Sequence, residues 1–189
     1  MLKPIIYIAG ICTLFNSCNS HTGTHTASAT KDSVVVIGTA CEKYLAAAKA
    51  SDDILMRAQV LDKDVAAKAI TDFNTFASNC KDDSLAPVFY LKAGQVAQAT
   101  GKFTQAQDMF NKCIVGFPEF KNRGAALFLS AQLYDDPKML NNEEEAKKLY
   151  EQIVKEYPET AYAKDSKSCI KNLGKTDDEL VQEFLKKNK

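Results

Sequence analysis

The stretch from Ala86 to Phe120 constrains the fold of this chain more than any other. Gly101 interrupts it midway and Pro118 closes it, and neither residue type favours the interior of a helix. On both sides of Gly101, small side chains fall where two helices must approach closely and large ones fall beside them: Gly94 and Ala106 are small, and Tyr90, Phe103 and Phe110 are large. The stretch therefore predicts two amphipathic helices joined by a tight turn.

This spacing resembles a tetratricopeptide repeat, a helix–turn–helix unit of about 34 residues. The pattern returns towards the C-terminus, and a degenerate copy precedes it, in which Ala69 and Phe73 take the places of Ala106 and Phe110. The later copy consists of Leu127, Ala131, Tyr134, Ala146, Tyr150 and Pro158. We therefore predict an all-α, tetratricopeptide-like helical-hairpin solenoid of about three repeats with a C-terminal capping helix.

Local capping signals predict where helices begin and end. Capping boxes start at Thr39, Thr104 and Thr176, each of which has Glu or Gln three residues later. Ser84 and Asn142 are candidate N-caps, and Ser51 to Asp53 is a candidate break in the first helix. Gly174 is a candidate helix end.

The N-terminus has the features of an export signal. Lys3 supplies a positive charge, and the apolar run from Ile5 to Phe15 is shorter than the ~20 residues of a membrane-spanning helix. The following Phe15-Asn16-Ser17-Cys18 resembles the lipobox of bacterial lipoproteins, in which the cysteine is diacylated and becomes the new N-terminus. We predict a lipoprotein signal peptide over residues 1–17 and lipidation at Cys18. The alternative is an ordinary signal peptide cut near Ser17, which leaves Cys18 unmodified.

Residues 18–33 are rich in Ser and Thr and contain almost no large apolar side chain. Such a segment cannot bury enough surface to fold, so we predict a flexible tether there and a helical repeat domain over residues 34–189. His21 and His25 lie in the tether without further ligands beside them, so they predict no metal site.

The segment from Tyr150 to Ala163 resembles repeats of two groups of envelope proteins. One group is the outer-membrane-assembly lipoproteins, and the other is the Tol-Pal-associated cell-division coordinator. The resemblance implies a lipid-anchored protein of a bacterial cell envelope. Asn19 follows the lipobox cysteine, and by resemblance to enterobacterial sorting this favours the outer membrane, facing the periplasm.

Four cysteines follow the lipobox, and an exported protein can form disulfides. If residues 39–61 and 64–80 form an antiparallel hairpin, Cys41 and Cys80 are about equidistant from its turn and face each other at its open end. We therefore hypothesise a Cys41–Cys80 disulfide. Cys113 and Cys169 are expected to be buried by packing, and a bridge between those two is an open alternative.

Charge and motifs exclude several classes of function. The chain has 24 basic and 24 acidic residues, so no basic field exists to attract nucleic acid. It has no phosphate-binding glycine loop, no nucleophile elbow and no zinc-binding histidine pair, and its two histidines lie in the tether. We therefore predict no catalytic residues, no cofactor and no enzymatic activity.

Stacked helical hairpins form a concave surface lined by their first helices, which favours a binding function. On the repeat pattern, Val88, Leu91, Gln95 and Gln98 line this groove, and their neutral character suits an extended peptide or a partner helix. The alternative is that Val88 and Leu91 pack against a neighbouring helix. We predict an envelope scaffold that binds a protein or peptide partner and is anchored to the membrane by lipid. The alternatives are a self-assembling structural subunit and an unrecognised enzyme.

Overall fold

The structure is a computed structural model that describes residues 40–187, without the side chains of Asp177 and Lys187. These residues form eight α-helices and no strand, so the all-α prediction is confirmed. The helices are α1 (Ala40–Arg57), α2 (Lys63–Asn79), α3 (Ala86–Ala99), α4 (Phe103–Gly116), α5 (Arg123–Asp135), α6 (Glu143–Glu156), α7 (Ala161–Asn172) and α8 (Asp177–Lys187). The predicted signal peptide, Cys18, the tether and residues 34–39 lie outside the described residues.

The helices stack in chain order as a solenoid. Each helix from α1 to α6 packs against the next one in the chain, and α5 also contacts α7. The pairs α1/α2, α3/α4 and α5/α6 are three consecutive hairpins, in agreement with the predicted number of repeats. The helix α7 then covers the open side of the third hairpin, which is how repeat proteins protect the end of their core.

The three hairpins bury equivalent positions. Each second helix carries a fully buried alanine followed four residues later by a fully buried aromatic residue, at Ala69 and Phe73, Ala106 and Phe110, and Ala146 and Tyr150. Residues four apart lie on one face of a helix, so each pair points into the same layer of the core. The first hairpin therefore has the same core as the other two, although its sequence matches the repeat only weakly.

Side-chain caps confirm two of the predicted helix starts. Asn142 Oδ1 accepts a hydrogen bond from Glu145 N at 3.1 Å, at the start of α6. Before α8, Thr176 Oγ1 accepts from Glu179 N at 3.3 Å, and Glu179 Oε2 accepts from Thr176 N at 2.9 Å, which completes a capping box. The helix α1 begins at Ala40, directly after the predicted Thr39.

The predicted break at Ser51 to Asp53 is wrong, because α1 continues through it. Ser51 is 3% exposed and its hydroxyl donates a hydrogen bond to Asp72 of α2, while Asp52 forms an ion pair with Lys92 of α3. These polar side chains bind the neighbouring helices and do not compete with the backbone of their own helix.

The predicted caps at Thr104 and Ser84 are also wrong. Gly101, with φ of 74°, follows α3 in a Schellman turn, in which Lys102 N donates to Ala97 O at 2.9 Å. The next helix therefore begins early, at Phe103, and Thr104 lies inside its first turn. The helix α3 begins at Ala86 without a side-chain cap.

The C-terminal helix α8 follows a glycine in the left-handed conformation, Gly174, whose φ is 74°. Its Leu180 is half-buried, whereas Val181 and Leu185 remain 54% and 50% exposed. The helix is present where it was predicted, but α7 covers more of the third hairpin than α8 does.

Candidate binding groove

A groove of about 860 Å³ runs across α3, α5 and α7 at the C-terminal part of the stack. Its surface includes Gln98 of α3, Gln132 and Asp135 of α5, Tyr150 of α6 and Cys169 of α7. The loop between α5 and α6 and the residues around Lys175 form its rim. The first helices of successive repeats therefore line this groove, as expected for a helical-hairpin solenoid.

A buried tyrosine fixes the position of a carboxylate in the groove. Tyr150 is fully buried, and its hydroxyl donates a hydrogen bond to Asp135 Oδ2 at 3.0 Å. Burial strongly raises the pKa of Tyr150, and the nearby Cys169 and Asp135 raise it further, so the hydroxyl keeps its proton and remains a donor. The bond occupies one acceptor site of Asp135 and leaves its others available to a ligand.

An aromatic side chain, Phe128, lies on the same face of α5 as the groove residues of that helix. Phe128, Gln132 and Asp135 follow one another at spacings of four and three residues, so they share one face of α5. The ring of Phe128 lies 5.9 Å from that of Tyr150 and 5.6 Å from that of Tyr162 on α7, measured between centroids. Phe128 and Tyr162 therefore form an aromatic pair that lies outside the groove, with Phe128 two helical turns from Asp135.

The groove surface carries more acidic than basic side chains. Asp135, Asp136 and Glu143 supply three carboxylates, and the two lysines on its surface are Lys138 and Lys175. Lys175 forms an ion pair with Glu183 of α8, which offsets its charge. The thiol of Cys169 adds no charge, because burial raises its pKa.

The four residues predicted to line the groove differ in exposure. Gln98 is part of the groove surface and Gln95 is exposed, whereas Val88 is half-buried. Leu91 is 9% exposed and belongs to the hydrophobic core, so its prediction as a contact residue is corrected. Leu91 is buried because α3 packs against both α2 and α4, so more than one face of α3 is covered.

The repeat pattern also contains a signal for the groove residues of α5. The second repeat lies 37 residues after the first, so Leu91, Gln95 and Gln98 correspond to Phe128, Gln132 and Asp135. The same positional rule, one repeat later, points to Gln132 and Asp135, which both line the groove, and to Phe128, which does not. Nothing in the repeat pattern indicates that α7 contributes Ser168, Cys169 and Asn172.

The structure joins Cys41 to Cys80 by a disulfide, with the two Cα atoms 5.7 Å apart. The bond links the beginning of α1 to the residue after α2. Cys113 and Cys169 are free thiols, so they do not form the alternative bridge. Cys113 is fully buried and its thiol donates to Pro87 O at 3.4 Å, and burial raises its pKa to about 12.

Arg123 is a structural residue that sequence reasoning missed. Its Nε donates to Ile114 O at 2.9 Å, and its Nη1 donates to Tyr157 Oη at 3.1 Å and to the Glu156 carboxylate. Arg123 therefore ties the end of α4 to the end of α6 across the start of α5. No local motif marks such a residue, since its partners come from two other helices.

Two stretches of the chain, residues 89–119 and 125–160, match the tetratricopeptide repeat family. They contain most of the α3/α4 and α5/α6 hairpins. These two hairpins are tetratricopeptide repeats. Tetratricopeptide repeats mediate protein–protein interactions, so the groove across them is the candidate binding site. A search of the curated proteins found no significant match.

Two further classes of site are absent from residues 40–187. No helix in this range is both long enough and apolar enough to cross a membrane. The same residues contain no cluster of three or more histidine, cysteine, aspartate or glutamate side chains arranged to hold a metal ion.

Proposed function

We propose that this protein is a lipid-anchored scaffold of a bacterial envelope that binds an extended segment of a protein partner in the groove across α3, α5 and α7. The observation that carries this proposal is an open groove on consecutive tetratricopeptide repeats. Gln98 and Gln132 line it, and their backbone carbonyls accept the hydrogen bonds that end α3 and α5, which leaves their side-chain amides on the groove surface. Amide side chains of this kind can donate to and accept from the backbone of a bound peptide.

The scaffold role follows from how the groove is held. Tyr150 fixes Asp135, and Arg123 ties α5 to α4 and α6 at the opposite end of α5, so the binding face is built on rigid elements. A surface that is ordered before binding loses less conformational entropy when a partner docks. The protein therefore needs only to hold its partner in place near the membrane.

Export and anchoring rest on sequence features and on one structural feature. The leader, the lipobox and Cys18 support them from the sequence. The Cys41–Cys80 disulfide supports export, since disulfides persist in oxidising compartments such as the bacterial periplasm. We propose that the lipid is attached at Cys18 and that the helical domain faces the periplasm from the outer membrane.

Site-specific photo-crosslinking in cells tests the groove. A photo-reactive amino acid replaces Gln132 in the groove, and in a control it replaces Gln105, an exposed glutamine on α4. We expect a crosslinked partner from position 132 and not from position 105. Equal crosslinking from both positions, or none from 132, would contradict the proposal. Crosslinks from 132 only to copies of the same chain would replace partner binding by self-assembly.

Fractionation tests the anchor separately. We expect the intact chain in the outer-membrane fraction, labelled by a radioactive fatty acid, and the Cys18→Ala variant without label. An unlabelled intact chain would contradict lipidation. A labelled chain found in the inner membrane would contradict the proposed membrane but not the anchor.

A further inference from the structure

An apolar surface lies open between α6 and α7, and we call it the α6/α7 surface. It surrounds a cavity of about 270 Å³ and consists of Val154, Ile170, Glu151, Lys155 and Lys167. Val154 lies eight residues after the buried alanine of its second helix, and it is only half-buried. The equivalent residues of the first two hairpins are Ala77 and Ile114, which are 0% and 7% exposed. The third hairpin therefore leaves partly open a position that the first two cover.

This surface is where the second helix of a fourth hairpin would dock. The helix α7 packs along α6 as the first helix of a next hairpin does. In contrast, α8 does not pack along α7 in the way that α4 packs along α3 and α6 along α5. Stacked hairpins bury a continuous core only where a further element covers the last apolar surface. The α6/α7 surface thus continues the series of interfaces between hairpins and would be completed by one more helix.

The helix α8 has the pattern of such a second helix but lies elsewhere. Leu180 and Phe184 are its fourth and eighth residues, which are the places of Ala146 and Tyr150 in α6. Leu180, however, lines the groove across α3, α5 and α7. None of the described side chains of α8 lines the α6/α7 surface of the same chain. The fold therefore holds α8 at the groove and away from that surface.

A second face of α8 is exposed to solvent. Asp178, Val181 and Leu185 follow one another at spacings of three and four residues, so they share one side of the helix. Val181 and Leu185 are 54% and 50% exposed, and Asp178 is exposed as well. This face offers two apolar side chains and a carboxylate, and the α6/α7 surface offers two apolar side chains and two lysines.

The two surfaces complement each other and belong to one chain, but they do not meet within it. Going beyond the proposed function, we propose that they meet between two copies of this protein, in a two-fold symmetric dimer. The face of α8 formed by Asp178, Val181 and Leu185 docks on the α6/α7 surface of the second copy, and the second copy returns the same contact. This reciprocal exchange covers both surfaces on both copies, as an isologous interface requires.

Opposite charges support this contact. Lys155 and Lys167 make the α6/α7 surface positive, because Glu151 forms an ion pair with Lys147 at 3.9 Å and is offset by it. The first turn of α8 brings the exposed carboxylates of Asp178 and Glu179. Charges of opposite sign beside an apolar centre steer two surfaces together and disfavour other alignments.

Photo-crosslinking of the full-length chain in cells tests the dimer. A photo-reactive amino acid replaces Leu185, and in a matched control it replaces Lys186, an exposed neighbour on the polar side of α8. Two copies with different epitope tags are expressed together. From position 185 we expect a product that carries both tags and joins α8 to a peptide within residues 151–170. Position 186 should give no such product, and equal yields from both positions would overturn the proposal.

Charge reversal assigns the contact to the α6/α7 surface. The test variant combines Lys155→Glu with Lys167→Glu, and the control combines Lys81→Glu with Lys121→Glu at exposed loop positions. We expect crosslinking from position 185 to fall about fivefold or more in the test variant and to stay unchanged in the control. Equal losses in both would mean that only net charge matters, which contradicts the proposed contact.

A mixed pair of chains distinguishes a second copy from the same chain. One chain carries the probe at position 185 and the two reversed lysines, and the other carries Val181→Asp and an unchanged α6/α7 surface. We expect the probe to capture the second chain and not its own kind. A crosslink from α8 to residues 151–170 within one chain, capture of a different protein, or no product would each overturn the proposal. Partner capture at position 132 is a separate observation, so the scaffold function stands or fails independently of this dimer.

Discussion

Gly94 of α3 lies so close to Phe110 of α4 that no side chain fits between them. A methyl group at Gly94 would meet three atoms of the Phe110 ring, and the farthest of them, Cζ, would be 3.0 Å away. Carbon atoms in favourable contact are about 3.5–4.0 Å apart. Phe110 is fully buried, so its ring has no free space to enter. Gly94→Ala must therefore separate α3 from α4 or force Phe110 out of its rotamer.

Two opposing effects set the size of the change. Alanine in place of glycine inside a helix stabilises by about 1 kcal/mol. Overpacking a core costs about 1–3 kcal/mol, and the buried ring places Gly94→Ala at the upper end of that range. We expect the free energy of unfolding to fall by about 2 kcal/mol, which lowers Tm by about 4–8 °C for a domain of this size.

Urea unfolding followed by far-UV circular dichroism measures this change, since the chain contains no Trp for fluorescence. The matched control is Gly116→Ala at the end of α4, where an added Cβ meets no atom within 4 Å, and we expect no loss of stability there. In a Phe110→Leu background, Gly94→Ala should cost less, because the two sites share one contact. A Gly94→Ala variant as stable as the unmodified protein would refute the reasoning.

Three further predictions concern the Cys41–Cys80 disulfide, the free thiols and Arg123. Replacing Cys41 and Cys80 by Ser should lower the free energy of unfolding by about 4 kcal/mol, because a disulfide across their 39-residue separation restricts the unfolded chain. A reductant should have the same effect on the unmodified protein. An unchanged urea midpoint in either experiment would contradict this prediction. Iodoacetamide at mildly alkaline pH should label Cys169 well before Cys113, whose burial raises its pKa to about 12, and peptide mapping that shows equal rates would oppose this. Arg123→Ala should cost about 2–3 kcal/mol in urea unfolding, because a charged donor with three partners is lost, and a cost near zero would show that water replaces it.

The hairpins were predictable because their information is periodic. Pairs such as Ala106 with Phe110 and Ala146 with Tyr150 repeat the same small and large side chains four residues apart, and the structure buries all of them. The cysteine pairing followed from hairpin symmetry alone, and the structure places Cys41 and Cys80 in one disulfide. Features that depend on the register of a repeat can thus be obtained from one sequence.

The errors occurred where contacts with other residues override a local sequence signal. Ser51 looked like a helix breaker, but its hydrogen bond to Asp72 of α2 satisfies it inside a continuous helix. Thr104 looked like a cap, but the Schellman turn at Gly101 had already fixed where α4 begins. Leu91 looked like a groove residue, but contacts with neighbouring helices bury it. The partners of Ser51 and Leu91 lie on other helices, outside the local window from which those predictions were made, whereas the turn that overrides Thr104 lies only three residues before it.

The groove obtains its polarity from differences between equivalent positions of successive repeats. Gln98 in the first family-matched repeat corresponds to Asp135 in the second, so the same backbone position changes from a neutral amide to a carboxylate. The solenoid fixes where these side chains lie, and each repeat is free to change their chemistry. A segment bound across the groove therefore meets a neutral amide at α3 and a carboxylate at α5. Discrimination among partners would then require no conformational change, because the stacked helices already hold both side chains on one surface.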